Sequence, residues 1–203
     1  KKKESKLPIH ITKINNYVLQ WLKILNIYNK ILDGNIFAKR LIVPEMGKCG
    51  APSPLQVKWL YNNIKPKLIE PLDNKKTIIL TKRTKSRQMH NFKKLENIVT
   101  QFTNNHKYRL IIHDDNNLPS LQKQLQYFSN AHIVIGPHGA AEVNLISTKE
   151  GGCVIEFIDI NHEMCHFCYF RLAFIKNLHY HALPYEIDQS DIESKLRLCN
   201  KNI

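Results

Sequence analysis

The sequence lacks any long hydrophobic run. No apolar stretch approaches the roughly 18 to 20 residues that a membrane-spanning helix needs, and the basic start at residues 1–6 leads into Leu7-Pro8-Ile9 rather than into the apolar centre of a signal peptide. The sequence as given therefore predicts a soluble chain without a visible signal peptide, and it leaves the cellular location open. So abrupt an opening is also typical of a piece of a longer polypeptide.

Acidic residues are scarce. The 203 residues contain 17 Asp and Glu against 30 Lys and Arg, which gives a formal net charge of +13. Such a surface attracts polyanions, which include nucleic acids and phosphate-bearing small molecules. The basic residues are dispersed along the chain, and no helix-turn-helix, zinc-finger or RNA-recognition signature accompanies them. These sequence features argue against nucleic acid as the partner.

Cysteine is also sparse, with five residues at irregular spacings. This odd number argues against a disulfide framework and favours a reducing compartment. His162, Cys165 and Cys168 resemble half of a zinc site, but they lie beside an apolar stretch that is typical of a core helix. We therefore expect buried thiols and no bound metal.

From residue 77 onward, short apolar runs alternate with amphipathic stretches. The predicted strands are 77–81, 108–113, 132–136 and 154–158, and the predicted helices are 91–102, 120–128, 140–146 and 163–175. Continuous apolar runs such as Ile78-Ile79-Leu80 are typical of strands buried on both faces of a parallel sheet. The sequence thus predicts an α/β fold with a doubly wound parallel sheet, which binds ligands at the carboxyl ends of its strands.

The first part of the chain predicts a smaller unit. Strands at 7–12 and 36–43 and helices at 14–25 and 55–64 indicate a partial N-terminal α/β lobe over residues 1–70. A loop at 66–76 forms the boundary, and residues 71–203 are predicted to form the main, Rossmann-like lobe.

The sharpest local feature is the turn from Gly136 to Ala140, which joins a buried strand to a predicted helix. Gly136 and Gly139 permit close approach of a ligand to the backbone, and the free N–H groups of a helix start favour an anion such as phosphate. His138 at the tip could donate a hydrogen bond to phosphate or to a sugar hydroxyl. An ordinary strand-to-helix connection is the competing interpretation.

A basic loop follows the strand at 77–81 and contains Lys82, Arg83 and Arg87. If the two strands are neighbours, this loop and the glycine turn converge at one edge of the sheet. The planar guanidinium of Arg87 suits phosphate oxygens. Asn91 at the end of the loop is a suitable N-cap for the following helix.

These motifs together resemble glycosyltransferase family 61. The family's Arg-x-x-x-Asn loop is found at residues 87–91, and its Gly-Pro-His-Gly-Ala-x-x-x-Asn segment at residues 136–144. A family glutamine corresponds to Gln124, and a glutamate that closes the next strand corresponds to Glu156. The resemblance extends from about residue 7 to residue 180.

The resemblance implies a two-lobed GT-B architecture and an inverting transfer of a sugar from a UDP-sugar to a protein or glycan hydroxyl, with no metal. By motif, Arg87 would hold the diphosphate, while Asn91 and Glu156 have more structural roles. The predicted donor-binding residues are Lys82, Arg83, Arg87, Asn91, Gly136, His138, Gly139, Ala140 and Asn144.

An inverting transfer needs a base for the acceptor proton and positive groups for the departing diphosphate. Within this chain, His138 and Glu142 are the candidate catalytic bases, and the base could also lie in a missing part of the N-terminal lobe. Two other functions stay open. One is a non-catalytic lobe that binds a nucleotide-sugar or a partner, and the other is a basic nucleic-acid-binding protein.

Overall fold

The molecule is built around a five-stranded parallel sheet. A computed structural model describes residues 7–43, 50–68, 75–86, 88–159, 167–186 and 188–201. The strands of the main sheet are β3 (Thr77–Lys82), β4 (Arg109–Asp114), β5 (Ala131–Pro137), β6 (Cys153–Ile158) and β7 (His179–Pro184), and a short pair is formed by β1 (Ile9–His10) and β2 (Ile31–Leu32). The helices are α1 (Asn16–Ile24), α2 (Pro54–Ile64), α3 (Phe92–His106), α4 (Leu121–Ser129), α5 (Cys168–Ile175) and α6 (Gln189–Lys201), with 3-10 helices at Lys65–Lys67 and Ala140–Ser147.

The order of the strands in the main sheet is β4-β3-β5-β6-β7, and every neighbouring pair is parallel. The chain winds outward from β3 to β4, and then crosses back to β5 and winds the other way. Numbered within the sheet, this order is 2-1-3-4-5, a common order of doubly wound α/β folds. The predicted doubly wound parallel sheet is therefore confirmed, and its switch point lies between β3 and β5.

Helices cover both faces of the sheet, which explains why its strands are apolar throughout. Ile78 and Leu80 point into one core cluster with α3 and α6, whereas Ile79 between them points into a second cluster with α2, α4 and α5. Strands β5 and β6 alternate in the same way between the two clusters. Buried positions on both faces require apolar residues at successive positions.

The N-terminal segment is less regular than the sequence predicts. The predicted helices 14–25 and 55–64 correspond to α1 and α2, and the side chain of Asn15 caps α1 by accepting from the Val18 N–H at 2.9 Å. The predicted strand at 36–43 is wrong, because these residues form no strand in the described structure and Phe37 is 100% exposed. An apolar run becomes a strand only where a neighbouring strand accepts its backbone hydrogen bonds. The division into residues 1–70 and 71–203 stays a prediction.

The second half of the chain follows the predicted alternation closely. One difference is the segment after β5, which was expected to be an α-helix at 140–146 and is a 3-10 helix instead. Of the helix predicted at 163–175, the described part begins at Cys168. No helix among the described residues is long and apolar enough to cross a membrane.

A disulfide joins Cys153, in β6, to Cys199, in α6, with the Cα atoms 5.6 Å apart. The prediction that the cysteines form no disulfide framework is therefore wrong for this pair. The two residues are 46 positions apart in sequence and meet only because α6 packs on the face of the sheet to which Cys153 points. Of the other residues considered as metal ligands, Cys165 and His162 lie outside the described residues.

Lys176 at the end of α5 predicts an unusual dependence of stability on pH. Its side chain lies in the interior with Nζ 3.1 Å from the centroid of the Tyr61 ring, and burial is the main cause that lowers the pKa of Lys176 from 10.5 to about 8. Since the unfolded chain keeps this proton up to a higher pH than the folded chain, stability is expected to rise with pH between these two values and to be lowest below pH 8.

Urea unfolding at about pH 7 and about pH 9.5 tests this expectation. Lys176→Met should stabilise the protein at the lower pH. It should also remove the contribution of Lys176 to the increase in the free energy of unfolding with pH. Lys123→Met is the matched control, since Lys123 also lies over a tyrosine ring but is exposed. If the stability of the wild type and of Lys176→Met depended equally on pH, the assignment of this pH dependence to Lys176 would be contradicted.

Candidate functional site

The basic loop after β3 and the glycine turn after β5 meet at the carboxyl edge of the sheet. A Cβ atom on Gly139 would lie 1.9 Å from Nη1 of Arg83, so the guanidinium packs directly against the glycine backbone. A Cβ atom on Gly136 would lie 1.8 Å from Oγ1 of Thr81 and 2.9 Å from its carbonyl oxygen. The backbone contact with Thr81 requires a glycine at position 136, whereas the contact at Gly139 is with a flexible side chain that could move. The predicted convergence of the two segments is confirmed by these contacts.

Contacts with the neighbouring strand fix the start of the basic loop. Lys82 Nζ lies 2.8 Å from Oδ2 of Asp114, and this ion pair raises the pKa of Lys82 and lowers that of Asp114. One residue further on, Asp115 accepts from the backbone N–H of Thr84 at 2.9 Å. Lys82 is thus already engaged with a carboxylate in this structure, which leaves Arg83 as the better placed cation of the two.

The guanidinium of Arg83 is oriented by its own loop. Its Nε donates to the carbonyl oxygen of Ser86 at 2.8 Å, and its Nη2 donates to Oγ of the same serine at 2.7 Å. These bonds position Nη1 against Gly139. An arginine held in this way beside a turn of backbone N–H groups is well suited to phosphate oxygens.

The structure does not place the two other predicted donor-binding residues of the basic loop, Arg87 and Asn91, in contact with the glycine turn. Arg87 lies outside the described residues, so its role as a diphosphate ligand stays a prediction. Asn91 occupies the N-cap position of α3, but it is exposed and its side chain makes no capping hydrogen bond.

The turn after β5 presents backbone donors at the start of the 3-10 helix. The Glu142 N–H donates to the Gly139 carbonyl at 3.0 Å, so the N–H groups of Ala140 and Ala141 precede the first bond of the helix. Ala140 is exposed. Because the first N–H groups of a helical segment have no partner within it, they are available to an anion.

His138 belongs to a buried cluster with Glu156, Tyr180 and Glu142. Nδ1 of His138 donates to Oε1 of Glu156, and the Tyr180 hydroxyl donates to Oε2. The backbone N–H of His138 donates to the Phe157 carbonyl at 2.9 Å, which holds the turn against β6. Because Nδ1 carries the proton shared with Glu156, Nε2 is the ring atom suited to exchange a proton with a ligand.

Glu142 shares the interior of this cluster, and its side chain is fully buried. As a carboxylate, neither of its oxygens would have a hydrogen-bond donor among the described residues. Burial, followed by the charge of the adjacent Glu156, raises the pKa of Glu142 well above its ordinary value. Burial thus favours the protonated form of Glu142, which can donate a hydrogen bond to the adjacent Glu156.

Asn144 faces a separate buried network. Its Nδ2 donates to Oε1 of Gln124 at 3.3 Å, and the same oxygen lies 3.2 Å from Nε2 of His113. Gln124 in turn donates to the Pro119 carbonyl at 2.9 Å. This network joins β4, α4 and the 3-10 helix, which indicates a structural contribution for the asparagine that the sequence predicts as a donor ligand.

Sequence reasoning did not identify Tyr180 as part of the site and assigned Glu156 a structural role. Glu156 had a detectable signal, because a lone carboxylate inside an apolar strand requires buried partners. No signal in the sequence pointed to Tyr180, because its hydrogen bond with Glu156 depends on the pairing of β6 with β7. Tyr169 of α5 also joins the site, with its ring centroid 4.9 Å from that of His138.

The fold and the site together define a Rossmann-like α/β protein with a glycine turn and a basic loop at its switch point. Residues 8–155 match the Glycosyltransferase 61 family. Since this match covers more than half of the chain, the chain belongs to that family, and the recognition of the family from its motifs is confirmed. Membership supports a glycosyltransferase function, with a nucleotide-sugar and an acceptor as the partners typical of such a protein.

Other comparisons add little to this assignment. No curated protein matches the chain. Among solved structures, a mutant flavo di-iron protein from Thermotoga maritima is similar, with 14% sequence identity and a TM-score of 0.46. The match covers 71% of this chain and 39% of that one.

Proposed function

We propose that this chain is the donor-binding part of an inverting GT-B glycosyltransferase that uses a UDP-sugar. The observation that carries the proposal is the contact between Arg83 and Gly139, which joins a fixed guanidinium to a turn of backbone donors at the switch point of the sheet. A diphosphate matches both kinds of donor. Family membership of residues 8–155 supports the same substrate class.

In the proposed reaction, the diphosphate of the donor lies against the glycine turn and Arg83. The cations of the basic loop stabilise the negative charge that develops on the departing diphosphate. Arg87 adds to this charge if it adopts the role that its motif predicts. The ion pair of Lys82 with Asp114 keeps the loop in place and gives Lys82 a secondary contribution.

His138 is the proposed base. The acceptor hydroxyl oxygen attacks the anomeric carbon of the sugar, the bond from that carbon to the diphosphate oxygen breaks, and the hydroxyl proton passes to Nε2 of His138. Glu156 orients the imidazole and stabilises the cation that forms, in the manner of the carboxylate in other histidine-carboxylate pairs. Glu142 is not exposed to an acceptor, so its proposed role is to donate a hydrogen bond to Glu156, which keeps its negative charge.

Calorimetric titration with UDP tests the donor site directly. Arg83→Ala is expected to weaken UDP binding by about 1.5–3 kcal/mol, the contribution of a charge-assisted hydrogen bond, and Arg87→Ala is expected to have a similar effect. Arg197→Ala is the matched control, because it removes the same charge from an exposed position on α6 whose side chain pairs with Glu193.

Two salt concentrations and a short oligonucleotide complete the experiment. UDP binding that tolerates salt and depends on Arg83 would support the proposed donor site, and transfer from a panel of UDP-sugars would then be measured. UDP binding without transfer would favour the non-catalytic lobe. Oligonucleotide binding that falls steeply with salt, without UDP binding, would contradict the proposal in favour of a nucleic-acid-binding protein.

A further inference from the structure

Glu156 lies at the centre of the buried cluster beside the glycine turn, and one of its hydrogen bonds has no role in the proposed reaction. Oε1 accepts from Nδ1 of His138, whereas Oε2 accepts from the hydroxyl of Tyr180. Glu156 is 0% exposed. A carboxylate shielded from water in this way depends on donors from the protein to stay ionised. The tyrosine hydroxyl is such a donor, and it binds the oxygen that the imidazole leaves free.

Strand pairing explains why Tyr180 reaches this carboxylate. Tyr180 of β7 pairs with Val154 of β6, and Val154 precedes Glu156 by two positions. Since alternate residues of a strand and paired residues of neighbouring strands share a face, the three side chains lie on the same side of the sheet. The ring of Phe170, from α5, packs against that of Tyr180 with the centroids 5.4 Å apart in an edge-to-face arrangement. The phenol is therefore held between the sheet and α5 with its hydroxyl at the carboxylate.

The hydroxyl of Tyr180 is a donor that keeps its proton. Burial is the first cause that raises the pKa of Tyr180 far above its ordinary value, and the charge of the adjacent Glu156 is the second. Glu142, from the 3-10 helix, and Cys168, from α5, raise this pKa further. A phenol in this setting does not ionise near neutral pH, so it can orient a carboxylate but cannot act as an acid or base toward the acceptor.

We infer that Tyr180 is a positioning residue that acts through Glu156 on His138, and this inference rests on the proposed function, in which His138 is the base. Because Tyr180 engages Oε2, the carboxylate is fixed with Oε1 toward Nδ1 of the imidazole. A donor to a carboxylate also favours its ionised form. That charge stabilises the imidazolium that forms when the acceptor proton passes to Nε2. The hydroxyl proton stays on Tyr180 throughout the transfer.

Loss of the hydroxyl should therefore impair the base rather than the donor site. In Tyr180→Phe, Glu156 would lose the donor to Oε2, while the aromatic ring and its packing against Phe170 stay. We expect kcat to fall roughly tenfold, since a hydrogen bond to a charged group commonly contributes this factor or more, and the affinity for UDP to stay unchanged. A tyrosine that only stabilised the fold would lower the free energy of unfolding without this selective loss in kcat.

Nitrogen-15 spectra of the chain with labelled histidines test the positioning without any sugar transfer. The signals of His138 are those that disappear in His138→Asn. At about pH 9, where an ordinary imidazole is neutral, we expect the proton on Nδ1 in the wild type and shared between Nδ1 and Nε2 in Tyr180→Phe. Tyr108→Phe is the matched control, because it removes another buried tyrosine hydroxyl, which donates to Asn200 at 2.7 Å. It should change neither the tautomer nor kcat.

A double-variant cycle tests whether Tyr180 acts through His138, with folding of each variant checked by circular dichroism. In the His138→Asn background, Tyr180→Phe should cause no further loss of kcat, because the group that it positions is gone. An equal loss in both backgrounds would overturn the inference, as would an unchanged tautomer in folded Tyr180→Phe. If the wild type transferred no sugar from any UDP-sugar, the proposed function would be contradicted instead, and the spectra would still decide whether Tyr180 positions the imidazole.

Discussion

His138→Asn is expected to reduce sugar transfer by roughly 10²- to 10⁴-fold, the usual contribution of a positioned general base. Asparagine can still donate a hydrogen bond from this turn but cannot accept a proton near neutral pH. The expected result is a loss in kcat with a smaller change in the affinity for UDP. Single-turnover measurements with saturating donor separate these two effects.

The contacts of His138 make this prediction specific. Glu156→Gln should also lower kcat, because the amide keeps a hydrogen-bonding side chain but removes the charge that stabilises a protonated imidazole. His179→Asn is the control for a histidine that is exposed and distant from the glycine turn in sequence. Normal turnover by His138→Asn would place the base outside this turn and contradict the proposed mechanism.

Gly136→Ala is expected to destabilise the protein by about 1–3 kcal/mol, the usual cost of overpacking a closed interior. The added methyl group would lie 1.8 Å from Oγ1 and 2.9 Å from the carbonyl oxygen of Thr81. The carbonyl belongs to the backbone of β3 and cannot rotate away. Chemical denaturation, with the midpoint and m-value compared with those of the wild type, measures this effect.

A double variant tests the cause of this loss. Thr81→Ala removes Oγ1, which has no hydrogen-bond partner in the described structure, so this change alone should have a small cost. Combined with Gly136→Ala, it should restore part of the stability, because one of the two clashes is gone. If the effects of the two changes were strictly additive, the contact between the new methyl group and Thr81 Oγ1 would not be the cause of the lost stability.

The sheet could be predicted from sequence because its strands are buried on both faces. Ile78-Ile79-Leu80 and Ile133-Val134-Ile135 are unbroken apolar runs, and each is followed by an amphipathic helix. The strands and helices depend on local pattern, which the sequence displays directly. Convergence of the basic loop with the glycine turn was predicted only on the condition that their strands are neighbours, and the pairing of β3 with β5 meets this condition.

The features that sequence did not predict depend on contacts between distant residues. Cys153 and Cys199 meet through the packing of α6, and Tyr180 reaches Glu156 through strand pairing. The sequence predicts Glu142 as a candidate catalytic base, but its side chain is fully buried and lies beside another carboxyl group, that of Glu156. Neither spacing nor composition reports on such long-range neighbours.

A proton kept on Glu142 beside Glu156 would also set the charge of the turn during the proposed reaction. Before proton transfer, Glu142, Glu156 and the imidazole of His138 would then together carry one negative charge. Once the imidazole accepts the acceptor proton, the same three side chains sum to zero. The negative charge of these three side chains thus disappears as negative charge develops on the diphosphate beside them. Electrostatic repulsion between the cluster and the diphosphate is therefore lowest when the leaving group departs.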